Sequence, residues 1–175
     1  KLVRENINFQ RGVNPKTSLG IGKKFYDKWF KTWDPKVEYE VDNNLNIIVN
    51  EYLDLIKTSI EKLPENLTIK EDLYLSNSII EYLPKGLTIN GNLYLKYSFI
   101  KELIDDIYVG GSIYLKGSKI EKPPKNLKVN VDLELDNTLM KELPKNLIVK
   151  SNLYIRETNI KEIPKFVKVY GKIIR

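Results

Sequence analysis

The side chains with chemistry to offer recur at a fixed spacing. Tyr74, Tyr94, Tyr114 and Tyr154 stand 20 or 40 residues apart, and Glu134 fills the gap in their series. Two positions on come Lys96, Lys116, Asp136 and Arg156; two positions before come Asp72, Asn92, Ser112, Asp132 and Asn152. Phenol rings beside ammonium and guanidinium groups suit recognition. Tyr and Arg dominate hot spots at protein interfaces, and aromatic rings with basic flanks also hold single-stranded nucleic acid. Catalysis fits poorly, because the chain has neither His nor Cys and so lacks the commonest general base and the thiolate nucleophile. Thr58, Ser78, Ser98, Ser118, Thr138 and Thr158 make a hydroxyl column, with no base to activate any member. Two acid clusters, Asp105-Asp106 and Asp132/Glu134/Asp136, carry the oxygen ligands of a hard cation. The second set points along a flat strand face instead of into a cage. We expect no catalytic residue, no cofactor and no resident metal.

Those positions recur because the chain from about Asn43 to Arg175 repeats every 20 residues. Leu63-Pro64 returns as Leu83-Pro84, Leu143-Pro144 and Ile163-Pro164, with Leu103-Ile104 and Pro123-Pro124 as altered copies. Ten residues after each comes an apolar pair spaced by two: Leu73/Leu75, Leu93/Leu95, Ile113/Leu115, Leu133/Leu135 and Leu153/Ile155. A second such pair, Leu67/Ile69 in one unit and Leu147/Val149 in another, keeps the same period. Self-similarity of this kind means a solenoid, and a spacing of two is strand periodicity with one apolar face. No unit shows helical spacing. Each coil should carry two short strands and two corners, stacked in parallel on the next. About six apolar side chains per unit contribute roughly 1.5–3 kcal/mol each on burial, against about 20–40 kcal/mol to order the backbone. A lone unit should not fold, so neighbours must complete the core and the strand ladders.

The unit Leu-Pro-x-x-Leu-x-Val/Ile-x-x-x-Leu-x-Leu-x-x-Ser/Thr-x-Ile resembles a leucine-rich repeat of the short bacterial and phage type, over about three-quarters of the chain. The resemblance implies a mainly β, parallel β-solenoid that binds partners through the outward face of its repeat sheet. Where the commoner leucine-rich repeats carry Asn, this chain has the hydroxyl column. A hydroxyl can satisfy backbone groups at that corner, with fewer hydrogen bonds than a carboxamide. Residues 43–62 form a degenerate first coil, and the solenoid over 43–175 holds about six to seven coils. At 103–110 the Pro is lost and Asp105-Asp106 replaces the usual Lys/Glu-Asn/Gly; corner geometry should differ there.

Residues 1–42 stand outside the repeat. Ile7-Asn8-Phe9 reads as an extended piece. From Lys23 to Trp33, a face of Ile21, Phe25, Trp29 or Phe30, and Trp33 lies opposite lysines, and Pro35 ends the helix. Such a helix should cap the open end of the first coil; a membrane-surface helix is the alternative. The preceding string Arg11-Gly-Val-Asn14-Pro-Lys-Thr-Ser18-Leu-Gly-Ile-Gly22 fails the phosphate-loop spacing, since Thr17 stands where the first glycine belongs and Lys24 follows Lys23. It reads as a turn and helix entry whose Gly12, Gly20 and Gly22 take backbone angles other residues avoid. The string is similar to one in phage-encoded leucine-rich-repeat proteins of the form Arg-Gly-x-Asp-Pro-Lys-x-Ala-Leu-Gly-Ile-Gly, which implies a phage origin and a place in the host cytoplasm or the phage particle.

Net charge is +6, split about evenly between residues 1–42 and the rest, so no basic tail exists. No apolar run reaches the length of a membrane span and no secretory leader is visible. The functional expectation is a non-catalytic protein-binding module or structural assembly component. Its contact residues would be Tyr74, Tyr94, Lys96, Tyr114, Lys116, Glu134, Tyr154 and Arg156. The alternative is nucleic-acid binding by the same Tyr/Lys/Arg face. Acids at 132, 134 and 136 interrupt the row and favour a shaped protein epitope. Equally, the tyrosines could stack simply to stabilise the sheet. At the other end, the last strand and the apolar cross-section of Leu153, Ile155, Ile160 and Ile163 lead us to expect contact with a second copy, a partner, or further chain.

Overall fold

Every coil but the last turns twice through a left-handed residue, and two columns of such corners set its shape. The first comprises Lys57, Asn77, Tyr97, Gly117, Asn137 and Glu157, with φ between 53° and 69°. The second comprises Asn66, Gly86, Asp106, Asn126 and Asn146, with φ between 53° and 73°. Asn, Asp and Gly tolerate this region best, and they fill the second column entirely. There a turn closes from the proline: Leu147 N–H donates to Pro144 O at 3.2 Å. At the first column Gly117 is required for a further reason, since a Cβ there would lie 2.4 Å from the Tyr97 ring.

The structure, a computed structural model, describes residues 15–175, with side chains from residue 22 onward. Helix α1 spans Pro15–Trp33. The first coil holds β1 (Tyr39–Val41), β2 (Ile47–Val49) and β3 (Leu53–Asp54). The next coils hold β4 (Leu67–Ile69) and β5 (Leu73–Tyr74), β6 (Thr88–Ile89) and β7 (Leu93–Tyr94), and β8 (Tyr108–Val109) and β9 (Ile113–Tyr114). The last three hold β10 (Lys128–Val129) and β11 (Leu133–Glu134), β12 (Ile148–Val149) and β13 (Leu153–Tyr154), and β14 (Lys168–Val169) and β15 (Ile173–Ile174).

Strands β3, β5, β7, β9, β11, β13 and β15 form one seven-stranded sheet, parallel and in register with a shift of one coil per strand. The chain is therefore a mainly β, parallel β-solenoid, as the repeat requires. Leu53, Leu73, Leu93, Ile113, Leu133 and Leu153 point inward with no exposed surface, and one apolar core runs the length of the stack. The hydroxyl column acts as expected. Thr58, Ser78, Ser98, Thr138 and Thr158 each donate to the carbonyl three residues back at 2.7–2.8 Å. Ser118 Oγ is buried without a partner.

The second wall departs from the ideal at the place where the repeat is altered. It divides into a five-stranded sheet, β1-β2-β4-β6-β8, and a three-stranded one, β10-β12-β14. Strand β8 ends at Val109 and β10 follows the aberrant 103–110 corner, so the ladder breaks one coil beyond the lost proline. A third side of the coil carries the alternating charges that precede each Leu-Pro in the sequence, paired between coils as Lys101–Glu81 at 2.8 Å and Lys122–Glu102 at 3.8 Å. The backbone bridges beside them, from Tyr82 to Glu102 and Glu102 to Lys122, were not foreseen.

The cap corrects three sequence expectations. The helix already begins at Pro15, so Gly20 and Gly22 lie within it. Gly22 serves close packing instead of an unusual backbone angle: a Cβ there would sit 2.9 Å from Leu45 Cδ2. The buried face holds Tyr26 and Phe30, while Phe25 is 40% exposed; Trp29 and Trp33 pack half-buried against the core. Strand β1 was also not foreseen. It pairs antiparallel with β2, stacks Tyr39 on Phe30 at 4.1 Å between ring centroids, and donates the Tyr39 hydroxyl to Asp27. Both burial and that bond hold the Tyr39 phenol well above its ordinary pKa. Ile7-Asn8-Phe9 and Gly12 lie outside the described residues.

Candidate recognition face

The seven-stranded sheet turns one residue per strand outward between two buried ones. That alternation places Tyr74, Tyr94 and Tyr114 in a line along the solenoid. Their rings stack face to face, 4.6 Å apart at 9° for the first pair and 4.8 Å at 15° for the second. The spacing is that of the strands themselves, so parallel register alone brings the rings into contact. Tyr52 closes the row edge-on at 6.0 Å from Tyr74.

Charged neighbours hold the row in place. Tyr74 donates its hydroxyl to Asp72 Oδ2 at 3.0 Å. Burial first, then that bond, pushes the Tyr74 phenol up to about 12; Tyr94 is raised as well, by burial and by the charge of Asp72. Lys96 passes over the Tyr114 ring, 4.9 Å from its centroid, and its ammonium meets Glu134 Oε2 at 2.8 Å. Arg156 closes on Asp136 with Nε at 2.8 Å and Nη2 at 2.6 Å from Oδ2, while its backbone amide donates to Oδ1 at 2.7 Å. The guanidinium also lies 5.7 Å from the Tyr154 ring centroid. Lys116 makes no ion pair among the described residues.

The structure thus brings Tyr74, Tyr94, Tyr114, Lys96 and Glu134 into one connected group, and Tyr154, Arg156 and Asp136 into a second beside it. It also gives the column before the tyrosines a role the sequence reading did not foresee. Asp72 Oδ1 accepts from Asn92 N, Asn92 Oδ1 from Ser112 N, Ser112 Oγ from Asp132 N and Asp132 Oδ1 from Asn152 N, at 2.6–3.1 Å. Each short polar side chain thereby bonds the backbone of the next coil. The signal was present, since Asp, Asn and Ser recur there at the coil period. The acids 132, 134 and 136 are engaged by three different partners, Asn152, Lys96 and Arg156. Among the described residues no group of three or more metal-ligating side chains comes together.

Exposed apolar residues border the face at its first corner: Tyr97 at 52%, Phe99 at 50% and Ile79 at 43%. They flank the buried hydroxyl column, so strand periodicity continued past the sheet would have found them. The basic border expected from the sequence is balanced by acids. The outward positions of the sheet carry four basic residues (Lys96, Lys116, Arg156, Lys172) and five acidic ones (Asp54, Asp72, Asp132, Glu134, Asp136).

Fold and face together define a parallel β-solenoid that presents an aromatic, charge-balanced sheet. Comparison with protein-family models, curated proteins and solved structures returned no match. No helix among the described residues is long and apolar enough to cross a membrane.

Proposed function

We propose that this chain is a non-catalytic protein-binding module of leucine-rich-repeat type, or the equivalent component of an assembly, acting through its tyrosine sheet. The observation that carries the reading is the Tyr74–Tyr94–Tyr114 stack. It is fixed at one end by Asp72 and at the other by Lys96 and Glu134, so its aromatic surface loses little freedom when a partner covers it. Aromatic anchors with a paired polar surround match the make-up of interface hot spots, and Tyr97 and Phe99 extend the apolar surface at the edge. Nucleic acid on this same face is disfavoured by its slight acidic excess.

The test is capture from cells that make the protein, comparing tagged wild type with Tyr94→Ala and with a control at exposed Lys23 on the cap helix, Lys23→Ala. A specific protein partner should be held at least about fivefold more weakly by Tyr94→Ala, the equivalent of about 1 kcal/mol, and unchanged by the control. Equal retention by Tyr94→Ala would remove this face from consideration.

A further inference from the structure

The net charge of +6 looks dilute in the sequence, but folding gathers it on one surface. On the second wall, the corner and strand segments 125–131, 145–151 and 165–171 stack on one another as the coils of β10, β12 and β14. Together they carry Lys125, Lys128, Lys145, Lys150, Lys165 and Lys168 and no acidic residue. The equivalent segments 65–71, 85–91 and 105–111 carry two lysines and four acids. The sign of the wall therefore changes where its ladder breaks, between β8 and β10. Lys125 lies 3.8 Å from Asp105 at that boundary; the other five lysines make no ion pair among the described residues.

We propose that this lysine wall is a binding site for single-stranded nucleic acid, separate from the tyrosine sheet. Lys145 and Lys165 stand on adjacent coils, about 4.8 Å apart along the solenoid, and Lys128 and Lys168 two coils apart on either side of Ile148, about 10 Å, with Lys150 between them in the next column. Such an array of ammonium groups complements a phosphodiester backbone. A shallow groove runs between them, lined by Lys128, Asn130, Ile148, Lys150 and Tyr170. Tyr108, 54% exposed at the break, and Tyr170, 73% exposed, offer ring faces for base stacking. In the adjoining groove, which Asp106 also lines, Asn130 Nδ2 already donates to Val109 O and Asn146 Nδ2 to Asn126 Oδ1. The second N–H of each amide and the Asn130 and Asn146 carbonyl oxygens stay available to base edges, which a lipid headgroup does not call for. A flat sheet also has no element to enter a duplex groove, so single strands fit better than double.

The experiment is fluorescence anisotropy of a labelled oligothymidylate of about a dozen nucleotides against the full chain over a range of salt. Wild type should bind saturably with a log–log salt slope of about −2 to −4, as three to six phosphate contacts on a single strand require. Lys128→Gln/Lys150→Gln/Lys168→Gln should bind at least about tenfold more weakly with a slope shallower by about 2. Tyr170→Ala should lose at least about fivefold, and Lys96→Gln/Lys116→Gln on the tyrosine sheet should change nothing. Should the triple variant not melt like wild type, the single Lys150→Glu replaces it. The proposal fails if wild type does not bind, if the wall variants bind as wild type does, or if a duplex of equal length binds as tightly. Binding to phosphatidylserine vesicles without oligonucleotide binding would also overturn it and assign the wall to membranes.

Discussion

Asn130 Nδ2 donates to Val109 O at 3.1 Å. In every other coil of this wall that carbonyl position is served by a backbone amide: Lys70 to Val49, Asn90 to Ile69, Gly110 to Ile89, Lys150 to Val129 and Tyr170 to Val149, at 2.8–3.0 Å. The carboxamide thus replaces a missing ladder rung at the break between β8 and β10.

Removing that substitute should weaken the joint between the two halves of the wall. Asn130→Ala is expected to lower stability by about 1 kcal/mol, the usual net value of one hydrogen bond. Asn90→Ala, whose coil keeps its backbone rung, should stay within about 0.5 kcal/mol. Denaturant midpoints compare the two directly; equal losses would mean the carboxamide bridges nothing of consequence.

The fold was legible because a solenoid writes each contact into the sequence at one period. Leu73, Leu93 and Leu133 announce their shared column, and in-register pairing follows from it. The tyrosine row was legible for the same reason. What escaped was whatever breaks the period or lies outside it. Strand β1 has no repeat partner, so nothing marked Tyr39–Val41 as an antiparallel addition. The cap face was misassigned by one position, Phe25 for Tyr26, because adjacent aromatics leave the helical phase ambiguous. The lysine wall escaped because segments evenly basic in sequence become concentrated only when three coils stack.

The cap offers a direct check on that phase. Phe30 is 2% exposed and stacks on Tyr39, so Phe30→Ala should cost about 3–5 kcal/mol. Phe25→Ala, at a half-open position, should cost well under half as much. A thermal melt in which Phe25→Ala is the more damaging change would return the helix to the orientation read from the sequence.

The hydroxyl column contains its own control. Ser98 Oγ donates to Leu95 O at 2.7 Å, whereas Ser118 Oγ, equally buried, has no partner. Ser98→Ala should therefore cost about 1 kcal/mol. Ser118→Ala removes only an unsatisfied hydroxyl and should be neutral or slightly stabilising. Equal destabilisation of the two variants would show that Ser118 finds a partner too.

Alkaline unfolding should report on the tyrosine row. Tyr74 has its phenol raised from the ordinary 10.0 to about 12, by burial first and then by the bond to Asp72 and that group's charge. Between those values the unfolded chain has released the proton and the native chain still holds it. The unfolded state then binds fewer protons, so stability must fall as pH rises through that window. Below pH 10 the contribution is fully present. Lysine deprotonation acts in the same range, which is why the comparison must be between wild type and Tyr74→Phe. The variant lacks the titrating proton and should lose stability with a shallower slope from about pH 10 to 12, even though it starts lower for want of the Asp72 bond. Tyrosinate absorbance of the native protein should show one fewer late-titrating phenol in the variant. Parallel slopes, or a Tyr74 that ionises near 10 in the native state, would mean the row is open to water and not held by Asp72.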